Sequence, residues 1–251
     1  MSKSGSEPRQ RFDRELSAKE KAQRMAGGVY NDIEIRQGIE EGWIILDPNT
    51  PVLINNSSID VTLGEHFYAT DGGPDHGILN MFDPTGAHDY FRYFHAETHE
   101  HMLHRLDVRT PLYGIPLDAR VVILEPNERV LGHTAEAVGV LSGGTTQMQA
   151  KSTIGRWGAG VCLDAGWGDE GYVSPWTMEI INVNRRRRIV LVVGMRISQI
   201  VCYKMNPADR SYGAGGHYQS SIDPAKARSN WHYTMMLPRV LNQDDIIVRD
   251  Q

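Results

Sequence analysis

Residues 151–182 read KSTIGRWGAGVCLDAGWGDEGYVSPWTMEIIN. The first half sets a cation and two hydroxyls, Lys151-Ser152-Thr153, ahead of Arg156, a glycine-rich stretch, Asp164 and Asp169. The second half runs through Tyr172 into WTMEII (176–181), a β-rich segment in which Glu179 stands between Met178 and Ile180. A strand-borne carboxylate has two readings. It faces solvent on the polar side of the strand, or it faces a cleft that perturbs its pKa. Buried carboxylates are rare, which weighs toward solvent.

Outward from this stretch the chain is mainly β. SIDVTL (58–63), ARVVILE (119–125), RIVLVV (188–193) and ISQIVCYKM (197–205) are β-rich runs punctuated by Gly, Pro, Asn and Asp. Such a series predicts a sandwich or barrel-like β fold with a few short helices. NDIEIRQGIEEGWII has helical spacing, with Asn31 or Asp32 as N-cap and Gly42 as the stop. Residues 1–27 read as a flexible tail, with Ser17 and Glu20 as an alternative capping box for a short exposed helix. A domain spans 28–221, interrupted at about 70–112 by an insertion whose FRYFHAETHEHMLHRLD reads as a helix. Residues 222–251 form a C-terminal extension. Its Trp231, Tyr233, Met235, Met236 and Leu237 have to dock on this subunit or a neighbour.

The 251 residues are 40% hydrophobic and 23% charged, with net charge −5, which offers no global basic field for nucleic acid. Arg185–Arg188 read as a solvated turn between strands. No apolar run approaches the roughly 18 residues of a membrane span. Residues 1–25 lack the apolar core of a secretory signal, so the expected location is cytoplasmic. Cys162 and Cys202 make neither a disulfide framework nor a zinc cluster. His88, His95, His99, His101 and His104 crowd the insertion. His95 and His99, four apart on a helix, could share a metal, but a polar surface helix is the plainer reading. His133 reads as structural.

The 151–182 stretch resembles the dCTP deaminase and trimeric dUTPase superfamily. Its pattern is answered without a gap by Lys151-Ser152-Thr153, Arg156-Trp157-Gly158, Ala165-Gly166, Asp169-Glu170-Gly171-Tyr172, Thr177-Met178-Glu179 and Asn182. DIEIRQGIEEGWIILDP (32–48), NNSSIDVTLG (55–64), VLGHTAEAV (130–138) and GMRISQIVCY (194–203) are similar to further blocks of the family in the same order. The resemblance implies a distorted, jelly-roll β-barrel that forms homotrimers with active sites between subunits.

The resemblance also implies roles. Glu179 is the general acid/base that takes a proton from water and delivers it to the leaving amine. Ser152 and the carbonyl of Ala165 hold that water, and Arg156 keeps Glu179 ionised. Lys151, Ser152, Thr153 and Gln199 meet the phosphates of dCTP or dUTP, with Mg²⁺ held mainly by the triphosphate and no protein metal ligands. Asp164 lies near the base, Tyr172 packs on the deoxyribose, and Asp169 lies near the sugar or activates water at the α-phosphorus. Tyr212, His217, Tyr218 and Gln219 complete the substrate contacts. The departures are Lys151 for arginine, Asp164 for threonine, Glu170 for proline, and the altered lid His217-Tyr218-Gln219-Ser220-Ser221. The zinc signature of other deaminases, with C-x-x-C, is missing from the sequence.

The first expectation is therefore a Mg²⁺-dependent deaminase releasing dUTP and ammonia. The alternatives are a bifunctional enzyme that carries on to dUMP and pyrophosphate, or a diphosphatase of another deoxynucleotide. A further alternative is a silent nucleotide sensor that binds a partner protein.

Overall fold

The computed structural model describes residues 28–72, 77–212, 216, 218–219, 221 and 223–246. The expected tail, the Ser17–Glu20 box and His217 lie outside the described residues.

The opening helix, Asp32–Glu41, forms where its caps dictate. The Asn31 side chain accepts from Glu34 N, and the Glu34 side chain returns the bond to Asn31 N. Gly42 ends the helix at φ 81°, a left-handed conformation that glycine adopts without strain.

The rest is mainly antiparallel β-structure in three sheets. The hub is the twelve-residue strand Arg129–Val140. It pairs on one side with Val173–Asn182 and on the other with Ile44–Asp47 and His66–Ala69. Ala159–Val161 and Arg92–His95 extend this six-stranded sheet outward. The second sheet centres on Arg196–Lys204. Gly144–Ala150 lies on one flank, Ile59–Thr62 and Gly28–Val29 share the other, and Trp167–Gly168 lies beyond Gly144–Ala150. A third sheet joins Ile189–Val192, Arg120–Leu124 and Glu97–Thr98.

The expected barrel closure is not found among the described residues: each strand order runs open. Alternating side chains report one buried face per strand and cannot distinguish a barrel from stacked sheets. The core lies between the sheets. Val130, Trp176, Met178 and Ile180 of the six-stranded sheet share it with Ile59, Val61, Met148, Ile197 and Ile200 of the second. Each such side chain contributes roughly 1.5–3 kcal/mol by leaving water.

The insertion is not a single helix. FRYFH is largely the strand Arg92–His95, paired with His66–Ala69, and the helix begins only at His99. Tyr93 and Phe94 alternate between faces, and Phe94 packs on the core. The C-terminal segment docks on its own chain: Trp231, Tyr233 and Met236 pack with Tyr68 and Leu131 on the outer face of the six-stranded sheet. Leu241 N donates to Met81 O, tying extension to insertion. Among the described residues no helix is long and apolar enough to cross a membrane.

Candidate active site

In Val173–Asn182 the pleat turns Trp176, Met178 and Ile180 into the core and Thr177 and Glu179 to the opposite face. That face is roofed. A cleft of about 350 Å³ lies over it, lined by Glu179, Thr177, Leu131 and Arg129 from the sheet. Ala165, Trp167, Gly168, Asp169 and Tyr172 line it from the glycine-rich stretch. The solvent reading of Glu179 is therefore replaced by the cleft reading. Its Oε2 is buried and takes no hydrogen bond from any described residue, a costly state for a carboxylate oxygen unless a ligand supplies a donor.

The glycines here serve close packing. A Cβ on Gly168 would stand 2.4 Å from both the Trp176 ring and Thr146 Oγ1. Tyr172 meets Trp176 edge to face at 5.1 Å and Tyr212 at 5.3 Å, and burial pushes its phenol well above the ordinary tyrosine value. Cys162 N donates to Glu179 O across the neighbouring strand pair. The Cys162 thiol is pushed up to about 12, first by burial and then by Glu179 and Asp164, so it stays protonated.

Glu170, a departure from the family pattern, is a staple. Its buried carboxylate accepts from the backbone N–H of Gly143 and Ala208, and its carbonyl accepts from Tyr212 N. These bonds bring the 208–212 segment over the cleft, with Tyr212 against Tyr172. Tyr218 also lines the cleft, while Gln219 is turned to the backbone, accepting from Val173 N and donating to Ser221 O.

The expected site divides in two. Ala165, Asp169, Tyr172, Glu179, Tyr212 and Tyr218 line the cleft; Lys151, Ser152, Thr153, Arg156, Asp164, Gln199 and Gln219 do not. Asp164 is exposed, 3.5 Å from Arg129 Nη2. Ser152, Thr153 and Arg156 are exposed on the short helix Ser152–Arg156. Lys151 Nζ lies 2.7 Å from both carboxylate oxygens of Asp60, which is fully buried and also meets Arg196 at 3.4 Å. Gln199 pairs with Asp60 across the strands.

Sequence reasoning missed Arg129, Trp167, Tyr90, Phe91, Met236 and Pro238, all of which line the cleft. Tyr90, Phe91, Met236 and Pro238 belong to the insertion and the extension, outside the matched blocks. The density of aromatics and methionines there is the signal that could have pointed to them. Asp60 was missed too, although it is the lone acid in an otherwise apolar strand pattern.

His95 and His99 do not share a helix face. His95 ends a strand, whereas His99 is buried, its Nδ1 directed at the carbonyls of Ile115 and Pro116 and its Nε2 accepting from Leu112 N. His133 is structural: Nδ1 donates to Thr134 O and Nε2 accepts from His66 N. Burial lowers its pKa to about 4. Arg185–Arg188 lie in an exposed turn, where Arg188 meets Glu125 at 2.7 Å.

A family model described as dCTP deaminase-like matches residues 29–205. The chain is 30% identical over 215 residues to a protein of Thermobifida fusca named dCTP deaminase, dUMP-forming, covering 82% of this chain and 95% of that one. It is 31% identical over 183 residues to a protein of the same name from Methanospirillum hungatei, covering 73% and 85%. Among solved structures, the 2′-deoxycytidine 5′-triphosphate deaminase of Agrobacterium tumefaciens matches with a TM-score of 0.48 and 16% identity, over 71% of this chain and 48% of that one.

Proposed function

The chain belongs to the dCTP deaminase-like family, and from that premise we propose that it is a bifunctional enzyme converting dCTP to dUMP, ammonia and pyrophosphate. This corrects the first expectation, a reaction that stops at dUTP: the curated relatives are named dUMP-forming. The observation that carries the reading is the roofed cleft, with the unpartnered Glu179 oxygen on its floor and Asp169 on its wall. A formed cleft around Glu179 also speaks for catalysis over a silent sensor.

In the proposed mechanism Glu179 takes a proton from water as the oxygen attacks C4 of cytosine. The C4–O bond forms, Glu179 returns the proton to the amine, and the C4–N bond breaks to release ammonia. A second water attacks the α-phosphorus in line with the bridging oxygen, which leaves with pyrophosphate. Asp169, exposed at the cleft, orients that water and accepts its proton. Tyr172, held edge to face by Trp176 and Tyr212, packs on the deoxyribose.

The donor set suits Mg²⁺ carried by the nucleotide. Among the described residues that line the cleft, Asp169 and Glu179 are the carboxylates, far short of an all-protein cage. When bound, the ion neutralises phosphate charge.

We infer a homotrimer from the division of the site. Ser152, Thr153 and Arg156 on an exposed helix, with Gln199 on the strand Arg196–Lys204, are offered to the cleft of a neighbouring subunit, while Lys151 is held by Asp60. The phosphate-binding roles of His217 and Gln219 belong to the same proposal. The boundaries 1–27, 28–221 and 222–251 remain the proposed domain plan, within a soluble cytoplasmic protein.

The test is incubation of the protein with dCTP and Mg²⁺, with all products resolved. dUMP, pyrophosphate and ammonia in equal amounts are expected. Accumulation of dUTP as end product would overturn the reading, and Glu179→Gln should abolish ammonia release.

A further inference from the structure

A second cluster of chemistry-bearing side chains lies on the outer face of the six-stranded sheet, outside the residues that line the cleft. Glu65, His66 and His95 each present one ligand atom, and the three atoms lie within 4.8 Å of one another. The pairing of His66 with His95 across two strands creates this closeness, with ring centroids 5.1 Å apart. We propose that Glu65, His66 and His95 form a binding site for a divalent transition-metal ion of the zinc type, distinct from the Mg²⁺ of the nucleotide.

The orientation of the rings supports it. His66 Nδ1 is held by Tyr93 Oη at 2.9 Å, which leaves Nε2 as the ligand atom. His95 Nδ1 lies 3.0 Å from Ala96 O, and its Nε2 lies 3.3 Å from Glu65 Oε2. A hydrogen bond on one ring nitrogen that fixes the lone pair of the other is the usual support of a histidine ligand. Two imidazoles and one carboxylate suit a borderline ion such as Zn²⁺, leaving at least one position open. Arg120 is the opposing charge. It lies 3.5 Å from Glu65 Oε2 and 3.1 Å from His95 Nδ1. The Glu65 carboxylate meets both His95 and Arg120 through Oε2, and Arg120 also donates to Ala96 O.

The site sits beneath the segment that roofs the cleft. Trp231 packs on His133 at 4.2 Å and on His66 at 6.2 Å, and Tyr233 stacks on Tyr93 at 4.2 Å. Met236 of the same segment enters the cleft. A metal that fixes His66 and Tyr93 therefore firms the floor on which the roof rests.

The experiment uses chelator-washed full-length protein without nucleotide or affinity tag, dialysed against ZnCl₂. About one Zn²⁺ per chain should be retained after buffer exchange. Imidazole ¹⁵N resonances of His66 and His95 should shift on zinc addition while those of buried His99, held by backbone groups, stay in place. His95→Gln and Glu65→Gln should each weaken binding at least about tenfold. His101→Gln, which removes the exposed ring paired with Glu97, should leave binding unchanged. No retained zinc, or retained zinc with the His66 and His95 resonances unmoved, would overturn the proposal. The resonance readout on the unaltered chain holds even if a variant folds poorly.

Discussion

Replacing Lys151 by methionine separates two accounts of one residue. By family resemblance Lys151 meets a phosphate; in the fold its ammonium is 2.7 Å from both oxygens of the fully buried Asp60. Removing one partner of a buried pair typically costs about 3–5 kcal/mol, because the remaining charge is left in a low-dielectric interior. Arg196, 3.4 Å from Asp60, stays behind and offsets part of this, so the loss should fall near the lower end, at about 3 kcal/mol. For a chain of this length that lowers Tm by roughly 6–12 °C. Thermal unfolding by circular dichroism at low protein concentration reads the shift. In the double variant D60N/K151M the two losses should not add, leaving a coupling energy of about 2 kcal/mol. A Tm within about 2 °C of the parent, together with a raised KM for dCTP, would refute the reasoning and return Lys151 to the phosphates.

Mixing inactive E179Q and R156A chains under conditions that exchange subunits should restore about a quarter of the parent activity, since a site built from two subunits is intact with that frequency in random trimers. No recovery would mean a site within one chain. Between pH 6.5 and about 4 the unfolded chain protonates His133 while the folded chain keeps it neutral, so stability is present above pH 6.5 and is lost as pH falls through that window. The loss is about 3 kcal/mol at most, and His133→Gln should flatten the slope of chemical denaturation free energy against pH by that amount. Glu170→Gln keeps the shape and weakens two acceptor bonds, so it should raise KM through a looser 208–212 segment and leave the ammonia-to-pyrophosphate ratio unchanged. Met236→Ala, which opens the roof of the cleft and removes a buried side chain from the Tyr68–Leu131 cluster, should raise KM for dCTP and cost about 2–5 kcal/mol of stability, read by thermal unfolding.

Much of the fold was legible because it is local. The cap at Asn31, the Gly42 stop and the β-rich run WTMEII with its alternating apolar residues are written in neighbouring residues, and each formed where expected; the Glu34 half of the cap was not read from the sequence. The same pattern set Glu179 on the opposite face. What it could not say is whether that face meets water or a cleft. The roof comes from Tyr90, Phe91, Met236 and Pro238, far away in the chain.

The identities of partners were likewise invisible. Lys151 and Asp60 are 91 positions apart, and nothing in KST or SIDVTL states that their charges meet. His95 and His99 looked like one helix face until the strand pairing of Arg92–His95 with His66–Ala69 turned His95 toward His66 and left His99 satisfied by backbone. Sequence by itself determined the family, the β-rich character, the opening helix and which strand carries Glu179, because propensity, capping and pleat act over a few residues. Tertiary structure decided that the sheets stay open, that Glu179 lies in a roofed cleft, that half of the expected ligands lie outside it, and that two histidines and a glutamate converge. Those outcomes depend on which distant surfaces exclude water together, and no local pattern encodes that.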